Sequence, residues 1–260
     1  MANITYQEIV DKWRNSKKDT AKEVQGALNE FRILFAYNSN QIDGAGVSLA
    51  HTRDIFEEGR VVNYTGDLKP LIETQNEKIC FEYITEKMHE KQEMSPAFVK
   101  DVQKLLCRSV YDDDRWDKGE RPGEYKKNFY GVGLEAGLPP QDVAEEVENL
   151  CDELNAFFNG TETDVDSILS NAAYFHCNFE NIHPFADGNG RAGRILMNYI
   201  LLTNNVPPII FFTEDKEKYF NELTVFDKSE KLDGFVEFMK EQTIKTWSRE
   251  SRGREFIAMS

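Results

Sequence analysis

The chain has 260 residues, 40% of them hydrophobic and 12% aromatic, enough to bury a substantial core in one large domain or a domain with an arm. Its formal net charge of −15 argues against a nucleic-acid surface, which needs a basic face, so any anionic ligand must be held by a local positive feature. The start, MANITYQEIVDKWRNSKK, lacks the apolar stretch of a signal peptide, and runs such as ILMNYILL are too short to span a bilayer. A cytoplasmic location without membrane contact is the expectation. Cys80, Cys107, Cys151 and Cys177 follow no C-x-x-C or zinc spacing, which makes reduced core thiols the default.

Taken in chain order, helical periodicity dominates. The segments QNEKICFEYITEKM and SPAFVKDVQKLLCRSVY carry apolar residues three to four apart. From Arg121 to Gly137 the pattern changes to RPGEYKKNFYGVGLEAG, glycine-rich and partly alternating, which predicts a short β-hairpin or flap. Tyr125 and Phe129 in it fit either a target segment added as a strand or plain turn and core packing. After Pro139-Pro140, DVAEEVENLCDELNAFF places Val143, Val147, Leu150, Leu154, Phe157 and Phe158 on one face and stops at Asn159-Gly160.

A second helix begins near Thr163 or Asp164 and turns Ile168, Leu169, Ala172, Phe175 and Phe179 inward. A third runs from about Gly190 to Leu202, ended by Asn204-Asn205 and Pro207-Pro208. KEKYFNELTVF and GFVEFMKEQTIKTW complete a mainly α chain, and the polar end SRESRGREFIAMS is expected to fray. His176 and Cys177 read as helix packing, having no second ligand pair.

Between the second and third helices lies HPFADGNGRAGR, residues 183–194. A helix start offers unpaired N–H groups and the positive end of the macrodipole, both suited to phosphate oxygens. Gly188 and Gly190 allow close backbone approach or positive φ. Arg191 and Arg194, three apart, project from neighbouring positions and can grip a polyphosphate. Asp187 supplies a carboxylate oxygen of the kind that carries Mg²⁺ beside substrate phosphates. A neutral imidazole at His183 can take a proton from a hydroxyl.

HPFADGNGR with a second Arg three residues on resembles the signature of the Fic (filamentation induced by cyclic AMP) family, and every signature position is filled. The likeness extends through HCNFENIHPF, PGEYKKNF and the PPQDVAEEVENLCDEL helix and on to about Lys240. It implies a Fic-type helical bundle over 1–260 with a catalytic core at 121–240, a flap at 121–137 and transfer of AMP from ATP to a protein Ser, Thr or Tyr hydroxyl. In that reading His183 is the base, Asp187 holds Mg²⁺, and Asn189 with the loop amides holds phosphates. Arg191 and Arg194 grip the triphosphate, and Phe185 anchors the nucleotide loop in the core. Asn189-Gly190, which departs from the Doc toxins at that place, implies AMP transfer over phosphorylation. Reverse AMP removal, transfer of another nucleotide, phosphorylation, or a non-catalytic nucleotide-responsive interaction module remain the alternatives. Possible self-association goes with the family.

An earlier stretch, SNQIDG, resembles the inhibitory helix of self-regulated Fic proteins, with Ser39, Asp43 and Gly44 at the pattern positions of a regulatory segment spanning 30–60. The family's Glu is Asp43 here. A side chain one methylene shorter is expected to reach Arg194 poorly, leaving a leaky inhibitory contact in an N-terminal-helix (class II) arrangement.

Overall fold

Helix starts in this chain are written in side-chain oxygens. In the computed structural model, which describes residues 4–16, 20–44, 46–132, 135–159 and 163–248, Thr5 and Thr20 close capping boxes with Glu8 and Glu23 at the heads of α1 (Tyr6–Asn15) and α2 (Ala21–Ala27). Helix α3 (Asn29–Ile42) follows, and Ser48, Asp67, Ser95 and Asp112 cap α4 (Leu49–Glu57), α5 (Leu68–His89), α6 (Pro96–Leu106) and α7 (Asp113–Asp117). Pro96 stands at the first position of α6, where a missing N–H costs nothing.

A short antiparallel ladder then pairs Gly131 with Ala136 and Val132 with Glu135; the tip at 133–134 lies outside the described residues. Helices α8 (Val143–Phe158), α9 (Val165–Ile182) and α10 (Asn189–Thr203) follow, and α11 (Lys216–Ser229) and α12 (Asp233–Trp247) close the chain after a 3₁₀ turn at Thr213–Asp215. Gly160 and the polar C-terminal stretch from 249 onward fall outside the described residues, so the end of the stop assigned to α8 and the fraying expected of the tail are not described.

Packing follows the apolar pattern. Helix α8 buries Val143, Val147, Leu150 and Leu154, while Phe157 and Phe158 stay half-buried at its end. Helix α10 is buried on every side from Arg191 to Leu202, the signature of a central helix rather than a surface one. It packs against α9, α6, α5 and α3. His176 is fully buried, its Nε2 2.9 Å from the Tyr219 hydroxyl among the rings of Phe211 and Phe235, and burial pushes its pKa down to about 3. It is a neutral packing residue, and Cys177 beside it is equally buried. No helix among the described residues is long and apolar enough to cross a membrane.

Candidate active site

The loop between α9 and α10 begins on a strained residue. His183 caps α9 with φ 49° and ψ 63°, in the left-handed region that side chains other than glycine seldom adopt, while its N–H donates to Phe179 O at 3.0 Å. Phe185 then drops into the core with no exposed surface, its ring 5.6 Å from Tyr125 and 6.4 Å from Phe179. Such burial makes Phe185 an anchor of the loop in the core. At Gly188 the backbone turns left-handed again, φ +80°, and a Cβ there would stand 2.5 Å from Cys107 Sγ. Only glycine meets both constraints. No side chain caps α10 at that position, which leaves its first N–H groups without a capping partner at the positive end of the dipole.

Asn189 is the keystone of the loop. Its Oδ1 accepts from Phe185 N at 2.9 Å, while its Nδ2 donates to Phe185 O at 2.8 Å and lies 3.0 Å from His183 Nε2. An amide Nδ2 has only hydrogens to offer, so the imidazole Nε2 presents its lone pair, and Nδ1 carries the proton of the neutral ring. Burial, joined by the Lys126 ammonium and opposed by Asp187, pushes the His183 pKa down to about 4. The ring is therefore uncharged at neutral pH, and its Nε2 lone pair is held by Asn189 in this state. Phosphate binding by the Asn189 side chain, expected from the resemblance, competes with bonds that occupy the whole amide in this state.

From α6, Gln103 Nε2 donates to Asp187 O at 2.9 Å and Gln103 Oε1 accepts from Gly123 N at 2.6 Å, tying the loop to the arm that precedes the ladder. The Asp187 carboxylate, about one-fifth exposed, faces three cations: Arg191 and Arg115 at 3.5 Å and Lys69 at 3.7 Å. These three cations already balance the Asp187 carboxylate, so any further cation there has to displace them or arrive with anionic groups that draw them away.

The two arginines meet carboxylates from other helices. Arg191, 3% exposed, sits 3.1 Å from Glu73 Oε1 and 3.9 Å from Asp43 Oδ2. Arg194, 2% exposed, donates from Nε to Ser39 Oγ at 3.1 Å and from Nη2 to Ser39 O at 3.0 Å. The same Nη2 lies 2.9 Å from each oxygen of Asp43. Burial pulls both guanidinium pKa values down, and the surrounding negative groups more than offset it, so both stay charged.

The expectation that Asp43 falls short is therefore corrected. Asp43 is the C-cap of α3, followed by Gly44 at φ +78°, and α3 itself carries Ser39 and Asp43 against α10, which makes up for the missing methylene. A Cβ at Gly190 would stand 2.9 Å from Arg194 Nη1 and 3.0 Å from Asp43 Oδ1, so the glycine makes room for the ion pair.

Several residues at this site escaped the sequence reading. Glu73 and Glu77, one turn apart on α5, are buried carboxyls around the arginines, and Glu180 on α9 is a half-buried one. Burial pushes Glu77 up to about 8 against the pull of Arg191 and Arg194, and Glu180 up to about 7. Asn40 Nδ2 donates to Glu77 Oε2 at 3.0 Å, linking α3 to α5 behind Arg194. Lys126 is buried beside His183. An acid one turn from another in a helix whose apolar stripe is weak was the available signal for Glu73 and Glu77; nothing local marked Lys126, Lys69 or Arg115.

Fold and loop together define a helical domain organised around a histidine-bearing, glycine-rich turn into its central helix. Residues 93–201 match the model of the Fic/DOC family, and the chain carries a Fic domain. It is similar to curated proteins named protein adenylyltransferase Fic, at 28% identity over 232 residues in Drosophila persimilis (88% of this chain, 42% of that protein) and 30% over 224 residues in Drosophila willistoni (85% and 42%). The chain thus spans less than half the length of these relatives. Among solved structures, a Fic domain containing signaling protein from Bacteroides thetaiotaomicron aligns with a TM-score of 0.78 at 24% identity, covering 93% of each chain. Fic-1 from C. elegans aligns with a TM-score of 0.69 at 23% identity, over 93% of this chain and 68% of that one. Both show the same fold.

Proposed function

We propose that this chain is a protein adenylyltransferase that transfers AMP from ATP to a hydroxyl side chain of a protein, itself included, and that its N-terminal segment at 30–60 holds the site closed. The observation that carries the reading is a neutral His183 whose Nε2 lone pair lies beside the open N-terminus of α10, with two charged arginines on the same helix. The curated relatives bear the name of that activity.

In this reading the triphosphate lies over the first N–H groups of α10, with Arg191 and Arg194 turned to its outer phosphates. His183 removes the proton from the acceptor hydroxyl. The hydroxyl oxygen forms a bond to the α-phosphorus, the bond from that phosphorus to the β-bridging oxygen breaks, and pyrophosphate leaves with the electron pair. Asp187 is the residue to hold Mg²⁺, which when bound neutralises charge on the departing phosphates. The arm at 121–137 serves as a flap that seats the target segment next to His183. The single-domain organisation with a core at 121–240 belongs to the same proposal.

Asp43 and Ser39 occupy Arg194 in the way a phosphate would, so the resting site is shut until the α3 end yields. The test uses α-labelled and γ-labelled ATP with Mg²⁺ in parallel, with mass spectrometry of the product. Protein-bound label from the α position and a +AMP adduct support AMP transfer. Label from the γ position alone means a kinase, and no label with either nucleotide, in the parent and in Asp43→Gly, means a non-catalytic module.

A further inference from the structure

A left-handed histidine costs about 1–2 kcal/mol relative to an ordinary backbone and persists only where its surroundings over-determine it. The flanking peptides show what does so here. Pro184 O accepts from Lys126 N at 2.9 Å on one side of His183. On the other, Ile182 O accepts from Leu138 N at 3.2 Å and from Lys126 Nζ at 3.4 Å. The two arms of the flap therefore grip the carbonyls before and after the histidine. Gly137 closes the fit, since a Cβ there would stand 2.5 Å from His183 Cβ and 2.9 Å from Lys126 Nζ.

Lys126 is an unusual choice for this place. It is 2% exposed, and burial pulls its pKa down to about 8 despite the help of Glu120. A buried ammonium is expensive, and the end of α9 supplies a reason for it, because the last carbonyls of a helix carry the negative pole of its dipole. The loop bearing it is fixed independently: the Glu120 carboxylate, itself 1% exposed, accepts from Lys127 N at 3.0 Å, from Asn128 N at 3.1 Å and from Asn128 Nδ2 at 2.8 Å.

We propose that Lys126 is a positioning residue for His183: with its backbone N–H and its ammonium it binds the carbonyls on both sides of the histidine and locks the left-handed backbone that aims the imidazole at the start of α10. This rests on the reading of His183 as the base. Lys126 touches neither arginine nor Asp187 in the hydrogen bonds and ion pairs of the site, so its effect falls on the aim of the base and spares nucleotide binding.

The experiment compares Lys126→Met, which keeps the aliphatic stem, Lys126→Arg and His183→Ala in an Asp43→Gly background. It reads the rate of α-label incorporation, equilibrium binding of ATP and thermal melting. Expected is a fall in kcat of about tenfold or more for Met with ATP affinity within about twofold, because misaiming a group by about 1 Å costs up to about a hundredfold. Arg, which keeps the charge and a donor, restores most of the rate. The inference is overturned if Met turns over like its parent, if rate and ATP affinity fall together, or if Arg is as impaired as Met. His183→Ala at full rate would instead overturn the reading of the base, whatever Lys126 does. Should Met fail to fold, Lys126→Gln, one bond too short to reach Ile182 O, takes its place with the same expectations.

Discussion

Both carboxylate oxygens of Asp43 lie 2.9 Å from Nη2 of Arg194, and the Ser39 hydroxyl and carbonyl complete the ring of acceptors around that guanidinium. One helix end thereby supplies four acceptors to a buried cation, and an incoming phosphate must displace them. Asp43→Gly removes the charged competitor. Coupling between such exclusive occupants is worth about 1–3 kcal/mol, so ATP affinity and self-modification are expected to rise about tenfold or more. Isothermal titration and label incorporation check it; unchanged values for both would show that α3 does not regulate the site.

His183→Ala removes the proposed base and leaves the arginines in place. Label transfer should fall about a hundredfold to ten-thousandfold, the usual worth of a positioned base, while ATP binding changes little. The pH dependence is more discriminating. With its pKa held down at about 4 by burial, the imidazole is already neutral throughout pH 5–8. The rate profile should therefore show no acid limb near pH 6.5, and an inflection there that disappears with His183→Ala would mean the ring is charged at rest.

Asn189→Ala cuts three bonds at once, two to Phe185 and one to His183. Leaving the buried Phe185 N–H and C=O without partners costs about 1–3 kcal/mol each. For a chain of this size about 1 kcal/mol corresponds to roughly 2–4 °C in Tm, so a drop of several degrees is expected together with loss of turnover. Differential scanning calorimetry decides: loss of turnover with an unshifted Tm would confine Asn189 to ligand binding.

The extent to which the site was legible follows from how local each feature is. HPFADGNGR could be read because its residues act within one turn, where spacing fixes geometry: Gly188 had to permit positive φ, and it does. Helix α9 begins where Asp164 predicts, and α10 starts one residue ahead of Gly190, because Gly188 rather than a capping side chain ends the loop. The reach of Asp43 was misjudged because side-chain length was weighed without the placement of α3 on α10. Glu73 and Glu77 carry a local sign in their one-turn spacing on α5, but their place beside the arginines, like that of Lys126 beside His183, depends on sequence separations that no periodicity encodes.

Glu77 gives a prediction about stability. Its folded pKa of about 8 lies above the usual carboxyl value of 4.5, so the native state holds a proton that the unfolded chain has released. The stability this proton contributes is fully present below about pH 4.5 and fades as pH rises toward 8. Glu77→Gln keeps an oxygen for Asn40 and abolishes the titration. Its Tm, relative to the parent, should therefore be several degrees higher at pH 8 than at pH 5. A difference that stays constant between the two would show Glu77 ionised in the fold.

Helix α10, enclosed by α9, α6, α5 and α3, bears Asn189, Arg191 and Arg194 in its first two turns. Local opening is cheapest at exposed edges and dearest at the centre of a core. Amide deuterium exchange along α10 should accordingly be among the slowest in the molecule, approaching the limit set by global unfolding. A protein that carries its chemistry there cannot adjust the site by letting the helix breathe, and evolutionary tuning is pushed outward to α3, α5 and the 121–137 arm, the parts that touch the helix without being it.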